Sequence, residues 1–363
     1  MAENARTAAL PQPFVPNRDA IWKELREKGY TTLPGLLSEA ECDEYISQYK
    51  QWLEQFGPDE WPSNARSIIQ DYKIGHFRPS WCARLKAKKV FSCLWGTEKL
   101  LTSVDGVAIA EPAETGVGGF AKHDQNWFHL DQSGQRTGLH CVQGAVYLEE
   151  ATETDYCFRV IEGTHTLHKQ FFARFSNKLK RGKHSDFLRL NEKECKWYQD
   201  QGCKVVKVPC PKGGMLLWDS RLVHDNAQPE FKRPHTDRWR FVVFVCMAPA
   251  QWANQEDIGK KHKCYKEMLM TSHWPGQGMK IFAEHLPRIP GVGPARTIQT
   301  LPDNATTDEV KRMMGVEEYD LRTANRMARS GSRSGCRARR INLIVIDYIH
   351  FISLPTDNPF SSE

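Results

Sequence analysis

His129, Asp131 and His224 are the residues of this chain whose types and spacing can hold a metal ion. On an extended strand, residues two apart share a face, so His129 and Asp131 point the same way while Leu130 points oppositely. A histidine from a second strand then completes a set of two imidazoles and one carboxylate. His224 is placed to do this, because it ends the apolar run that starts at Gly213 and Gly214. The competing reading is that both are buried structural histidines.

Spacing alone decides little. The chain holds three His-x-Asp triplets, His129/Asp131, His184/Asp186 and His235/Asp237, and chance alone supplies roughly one in a chain of this composition. His184 lies in a stretch crowded with Lys and Arg, which reads as solvated surface. His235 follows Pro229 and Pro234 in a polar loop with nothing rigid to frame a ligand. Only His129 is flanked by Trp127, Phe128 and Leu130, residues that build a half-buried strand.

The elements that must position these residues are mainly β with flanking helices. Candidate strands are 104–110, 127–131, 139–148, 156–161, 203–208, 214–218 and 238–246, short runs separated by Gly and Pro with no βαβ alternation. That pattern predicts a sandwich or barrel. Asn17 caps a short helix that stops at Gly29, followed by a strand and turn over 29–37. Ser38 and Glu41 have capping-box spacing, and Tyr45, Tyr49, Trp52, Leu53 and Phe56 recur at helical intervals as a core-packing stripe. Segments 166–176 and 191–201 read as inserted helices, and 252–273 as another.

Residues 1–16 are expected to be disordered, and 17–320 to form one catalytic domain. Its β core, a sandwich or barrel, spans about 103–250, between helical flanks at 17–60 and 252–315. Residues 321–363 read as an atypical tail, basic and then apolar. Of the net charge of +6, the seven Arg between Arg322 and Arg340 supply more than the whole, and residues 1–321 hold 43 basic and 41 acidic residues. Specific nucleic-acid binding is therefore not expected. No signal peptide and no run long enough to span a membrane are visible, so the expectation is a soluble cytoplasmic protein acting on a small molecule, of undetermined oligomeric state. The 11 Cys include no CxxC pair, which fits reduced thiols better than disulfides or a zinc site.

The order of Gly29 to Cys42, His129/Asp131, Glu162-Gly163-Thr164-His165, His224 and an Arg-initiated strand resembles the phytanoyl-CoA dioxygenase family over roughly residues 20 to 250. The resemblance implies a double-stranded β-helix, a cupin-like jelly roll, with His129, Asp131 and His224 as catalytic ligands of Fe(II). It implies 2-oxoglutarate as cofactor, dioxygen as co-substrate and ascorbate as reductant, with succinate and carbon dioxide released. Such a face of two His and one carboxylate leaves positions open on octahedral iron, whereas structural zinc would be closed by four ligands.

The resemblance also asks for an Arg near the start of the last barrel strand to pair with the distal carboxylate of 2-oxoglutarate. Arg238 and Arg240 both qualify, and aligning the apolar run favours Arg240. Gln143, on the strand after the ligand pair, is a further cofactor or substrate candidate, with a scaffold role as the alternative. Asn126, Trp127 and Gln132 are substrate candidates, each with a scaffold role as the alternative. Asp225 and Asn226 are candidates to orient His224, His165 reads as structural, and Lys178, Lys180, Arg181 and Lys183 as a solvated loop able to meet an anion. The expected reaction is hydroxylation of a small molecule. The alternatives are an inactive jelly-roll binding protein and a cupin-like metalloenzyme that does not use 2-oxoglutarate.

Overall fold

Asn17 accepts a hydrogen bond from the Ala20 N–H at 3.1 Å and opens helix α1 (Arg18–Glu27), which buries Ile21 and Leu25. The helix ends at Gly29 with φ +91°, and a Cβ there would meet His165 Nδ1 at 2.7 Å. His165, buried, is tied by Nε2 to the Arg26 carbonyl at 3.1 Å, so its role is structural. Strand β1 (Tyr30–Leu33) follows, then α2 (Glu39–Leu53), whose capping box joins Ser38 and Glu41. Tyr45, Tyr49, Trp52 and Phe56 all lie in the core.

This computed structural model describes residues 14–57, 60–116, 119–120, 126–181, 185–282 and 296–321. Residues 1–13, Lys183, His184 and the tail from 322 onward lie outside the described residues. The chain divides into two units, Met1–Glu318 and Tyr319–Glu363, and the described strands and helices all belong to the first. No helix among the described residues is long and apolar enough to cross a membrane.

After β2 (Ile68–Ile69) comes α3 (Arg78–Trp95), an 18-residue helix that no sequence pattern predicted. Its start carries Pro79 but no side-chain cap, and Arg84 sits on its buried face. The remaining strands are β3 (Leu100–Thr102), β4 (Val107–Ala110), β5 (His129–Leu130), β6 (Val142–Tyr147), β7 (Cys157–Ile161), β8 (Leu188–Arg189), β9 (Val205–Val208), β10 (Met215–Asp219), β11 (Val223–Ala227) and β12 (Arg240–Pro249). Helices α4 (His168–Arg174), α5 (Ser176–Arg181) and α6 (Glu192–Asp200) lie between β7 and β9, and α7 (Gln255–Glu267) and α8 (Asp308–Met313) follow the last strand.

Two antiparallel sheets result. One has the order β1-β10-β6-β12-β4-β2, with β3 also on β12, and the other β8-β5-β11-β7-β9. Leaving out the edge strand β8, the chain from β4 to β12 runs through the two sheets in the eight-strand course of a jelly roll. Ala145, Tyr147, Phe158, Val160, Leu216, Trp218 and Val242 fill the space between the sheets. The outer face of the larger sheet is covered by helices, with Val142, Val146, Leu217, Phe241 and Val243 packed among α1, α2 and α3 residues. Burial on both faces explains why β6, β10 and β12 read as continuous apolar runs rather than alternating ones.

Two boundaries differ from expectation in ways that matter. The candidate strand 214–218 is β10, ending at Asp219, and His224 lies past a turn on β11, a strand not among the candidates and part of the other sheet. The last strand begins at Arg240, leaving Arg238 outside it.

Candidate metal centre

β5 and β11 pair so that His129 and His224 stand directly opposite, which places their side chains on one face at close cross-strand distance. Each ring is oriented the same way. His129 Nδ1 lies 3.3 Å from the Trp127 carbonyl and His224 Nδ1 2.9 Å from the Leu222 carbonyl. A carbonyl only accepts, so each Nδ1 carries the proton and each Nε2 presents its lone pair. Asp131 Oδ2 lies 3.5 Å from His129 Nε2 and 3.3 Å from His224 Nε2. The three donor atoms fall within 4.8 Å of one another, and all three residues are buried.

Protonation suits the same task. Burial, joined by the neighbouring His224, lowers the His129 pKa below the ordinary imidazole value, so its Nε2 is free at neutral pH. Burial acts to raise the Asp131 carboxyl, but the surrounding imidazoles, His129 foremost, outweigh it and hold the group well below the usual carboxylate range. Two imidazoles that turn Nε2 inward and one carboxylate fit an Fe(II) ion with positions left open for other ligands.

The frame around these residues is rigid. Trp127 stacks on His129 at 4.7 Å with an interplanar angle of 8°, and Phe187 contacts the same ring at 4.8 Å. Phe158 and Trp218 both lie 5.4 Å from the His224 ring. Gln143, on β6 of the opposite sheet, donates through Nε2 to Asp131 Oδ2 at 3.1 Å. Outer partners of this kind hold a ligand carboxylate in place, and losing one costs roughly 10–100-fold in metal affinity. Gln143→Leu is therefore expected to weaken iron binding by about that factor with an unchanged circular dichroism spectrum, as measured by equilibrium dialysis.

Arg240 opens β12 on the face that carries Val242 into the inter-sheet core. Its Nη2 donates to Asn226 Oδ1 at 2.9 Å and its Nη1 to Ser67 Oγ at 2.8 Å, while its buried Nε has no partner. Among the described residues no carboxylate pairs with it. Burial lowers its pKa from the ordinary guanidinium value. Asn226 shares a face with His224 two residues along β11, so Arg240 is anchored about 7 Å along the strand from the histidine. A buried guanidinium held only by neutral acceptors fits the distal carboxylate of a short diacid whose other end lies at the metal.

Other expected residues are placed differently. Arg238 is committed to Asp155 and Glu150, both at 2.7 Å, because it precedes the strand and meets an acidic turn. Gln132 is a scaffold residue: its amide donates to the carbonyls of Arg136 (3.1 Å) and Gly138 (2.6 Å), and its oxygen accepts from Ser220 (2.8 Å) and His140 N (3.3 Å). Asn126 is exposed and offers its carbonyl to Arg189 at 3.2 Å. Asp225 does not orient His224; it accepts two bonds from Arg159, at 2.8 and 2.6 Å, and one from the Trp127 N–H at 3.1 Å. Asn226 serves Arg240, and its carbonyl accepts from the Trp127 indole at 3.2 Å. Lys178 is not a loop residue: it is buried on α5 and pairs with Glu194 at 3.1 Å. Asp186 is ion-paired with Arg136 at 2.9 Å, and His235 is exposed. Ser67, Phe187 and His273 near this centre carried no sequence signal, since none belongs to a motif.

Comparison with known proteins agrees with this architecture. The family model described as phytanoyl-CoA dioxygenase (PhyH) matches residues 25–228, more than half of the chain. A curated protein of Aspergillus versicolor, "Ava biosynthesis cluster protein O", is 26% identical over 288 residues, covering 73% of this chain and 89% of its own. Among solved structures, the GlcNAc-inducible Gig2 of Candida albicans overlays with a TM-score of 0.54 at 13% identity, covering 91% of this chain and 84% of that one, which shows shared fold. EctD from S. alaskensis, solved with 2-oxoglutarate and 5-hydroxyectoine, overlays at a TM-score of 0.43 and 14% identity, over 65% of this chain and 78% of its own. The jelly roll, the paired histidines and the family match together mean that this chain belongs to the phytanoyl-CoA dioxygenase family of iron(II)- and 2-oxoglutarate-dependent oxygenases.

Proposed function

We propose that this protein is an Fe(II)- and 2-oxoglutarate-dependent dioxygenase that hydroxylates a small molecule. The observation that carries the reading is the conjunction of two features: the His129, Asp131 and His224 donor face, and a buried Arg240 with no carboxylate partner, linked to the same strand through Asn226. The relative named for a biosynthesis cluster supports a small-molecule substrate.

His129 and His224 would hold iron through Nε2 and Asp131 through its carboxylate. When bound, iron(II) with 2-oxoglutarate and dioxygen supplies an oxidant that removes hydrogen from a C–H bond, with succinate and carbon dioxide as co-products. The chain's own residues position and shield. Gln143 holds the Asp131 carboxylate, the Trp127 and Leu222 carbonyls fix both ring tautomers, and Arg240 would anchor the distal carboxylate of the keto acid. Trp127, Phe158 and Trp218 pack the rings on their apolar sides and exclude water, which strengthens every polar contact within.

Anaerobic titration with Fe(II) and then 2-oxoglutarate tests this. A visible charge-transfer band is expected only when both are present, followed by slow succinate release on admitting air. Failure of either ligand to bind would sink the proposal. Iron binding untouched by the keto acid would point instead to a metalloenzyme of another chemistry, and a band without any succinate to a binding protein.

A further inference from the structure

The chain beyond residue 228 lies outside the matched family region, yet part of it returns to the metal-bearing end of the barrel. Residues 270–282 form a narrow bridged hairpin: Thr271 pairs with Ile281, the Ser272 N–H donates to the Lys280 carbonyl at 2.9 Å, and the Phe282 N–H to the Met270 carbonyl at 2.9 Å. Three attachments fix it. Thr271 exchanges bonds with the Val104 backbone at 2.8 and 2.9 Å. The Asp257 carboxylate accepts the Gly278 and Met279 N–H groups at 2.9 and 3.1 Å. The Arg136 guanidinium lies over the Trp274 ring at 4.0 Å and donates to the Gln277 carbonyl at 3.0 Å.

His273 sits in this hairpin. Its carbonyl accepts from Cys141 Sγ at 3.8 Å, and Cys141 Sγ is 3.1 Å from Cys246 Sγ. Cys246 stands in register with Gln143, the residue that holds Asp131. The hairpin therefore abuts the stretch of the large sheet that supports the metal carboxylate. His273 Nε2 is buried with no hydrogen-bond partner among the described residues. A buried polar atom left unpaired is costly enough that its persistence calls for a partner from elsewhere. On the same centre, Phe187 touches the His129 ring yet leaves 48% of its surface exposed, an apolar face open to a ligand.

We propose that His273 is a specificity-determining residue whose Nε2 hydrogen-bonds a carbonyl or hydroxyl oxygen on an apolar, ring-bearing substrate that lies against Phe187. This rests on the oxygenase reading above and adds the substrate's chemistry to it. A ring compound without the oxygen function would leave the imidazole unpaired and bind less well.

Matched probes test this on the anaerobic protein loaded with Fe(II) and 2-oxoglutarate. α-Tetralone and tetralin share a fused ring system and differ in one carbonyl, and their binding is read by calorimetry and by displacement of the charge-transfer band. The wild type is expected to prefer α-tetralone by about ten-fold. His273→Phe should erase the preference and His273→Gln should retain part of it, with iron and 2-oxoglutarate affinities unchanged in both His273 variants, and Phe187→Ala should weaken both probes alike. Equal binding of the two probes, no binding of either, or a preference that survives His273→Phe would overturn the proposal. So would a loss of cofactor affinity in both His273 variants. Wild type that binds neither iron nor keto acid would instead sink the oxygenase reading, so the two failures are distinguishable.

Discussion

Replacing His224 by alanine is expected to abolish stoichiometric Fe(II) binding and, with it, 2-oxoglutarate-dependent succinate release. Loss of an outer partner of a ligand already costs roughly 10–100-fold in affinity, so removing one of three donors should exceed about 100-fold. The register explains why nothing nearby can substitute. His224 faces His129 across a single antiparallel pair, and the positions two residues away on either side are Leu222, just before β11, whose carbonyl orients the ring, and Asn226, which is committed to Arg240. Truncation also leaves a void between Phe158 and Trp218, so His224→Leu, which fills that space without a donor, separates metal loss from packing loss. Both variants should lose iron in equilibrium dialysis, and His224→Leu should keep the wild-type thermal transition. Retention of stoichiometric iron by either would remove His224 from the ligand set.

Arg240→Met should leave iron affinity intact and weaken 2-oxoglutarate binding. Two charge-assisted hydrogen bonds are at stake at about 1.5–3 kcal/mol each, which corresponds to roughly 10²- to 10⁴-fold in Kd. The apo-protein provides a contrasting sign. A buried guanidinium with no carboxylate partner is expensive to keep, and its replacement by an apolar side chain of similar reach is often neutral or stabilising. The variant should thus melt no earlier than wild type without ligand, and should lose the upward shift that 2-oxoglutarate gives the wild type. Arg238→Met serves as the control with the opposite pattern. It breaks the pairs to Asp155 and Glu150 and should lower the melting temperature while leaving 2-oxoglutarate affinity alone. Reversal of the two patterns would exchange the roles assigned to these arginines.

Much of the frame was legible because it depends on local chemistry. Asn17 and Ser38 cap their helices through side chains within three residues, Gly29 takes the left-handed conformation that ends α1, and apolar runs bounded by Gly and Pro mark most of the strands. Helix α3 was not legible: it lacks a side-chain cap, and Arg84 interrupts its apolar stripe while being fully buried against Trp81. Strand β11 was also not legible: the candidate strand before it stopped at 218, and Val223-His224-Asp225-Asn226-Ala227 is too polar to read as an apolar run.

By itself the sequence determined that a histidine and a carboxylate two residues apart share a strand face, that a second strand-borne histidine follows, and that two arginines precede the last long apolar strand. These properties follow from the two-residue period of an extended chain and need no knowledge of partners. Only the tertiary structure decided which groups are already engaged. Asp186 is taken by Arg136, Arg238 by two carboxylates, Gln132 by four hydrogen bonds and Asp225 by Arg159, while among the described residues Arg240 is left without a carboxylate and His273 Nε2 without a partner. The physical reason is that pairing in a jelly roll is non-local. β5 meets β11 across more than ninety residues, and a hairpin from beyond the last strand closes on the same end, so whether a side chain is free to bind is set by residues that its own neighbourhood in sequence does not contain.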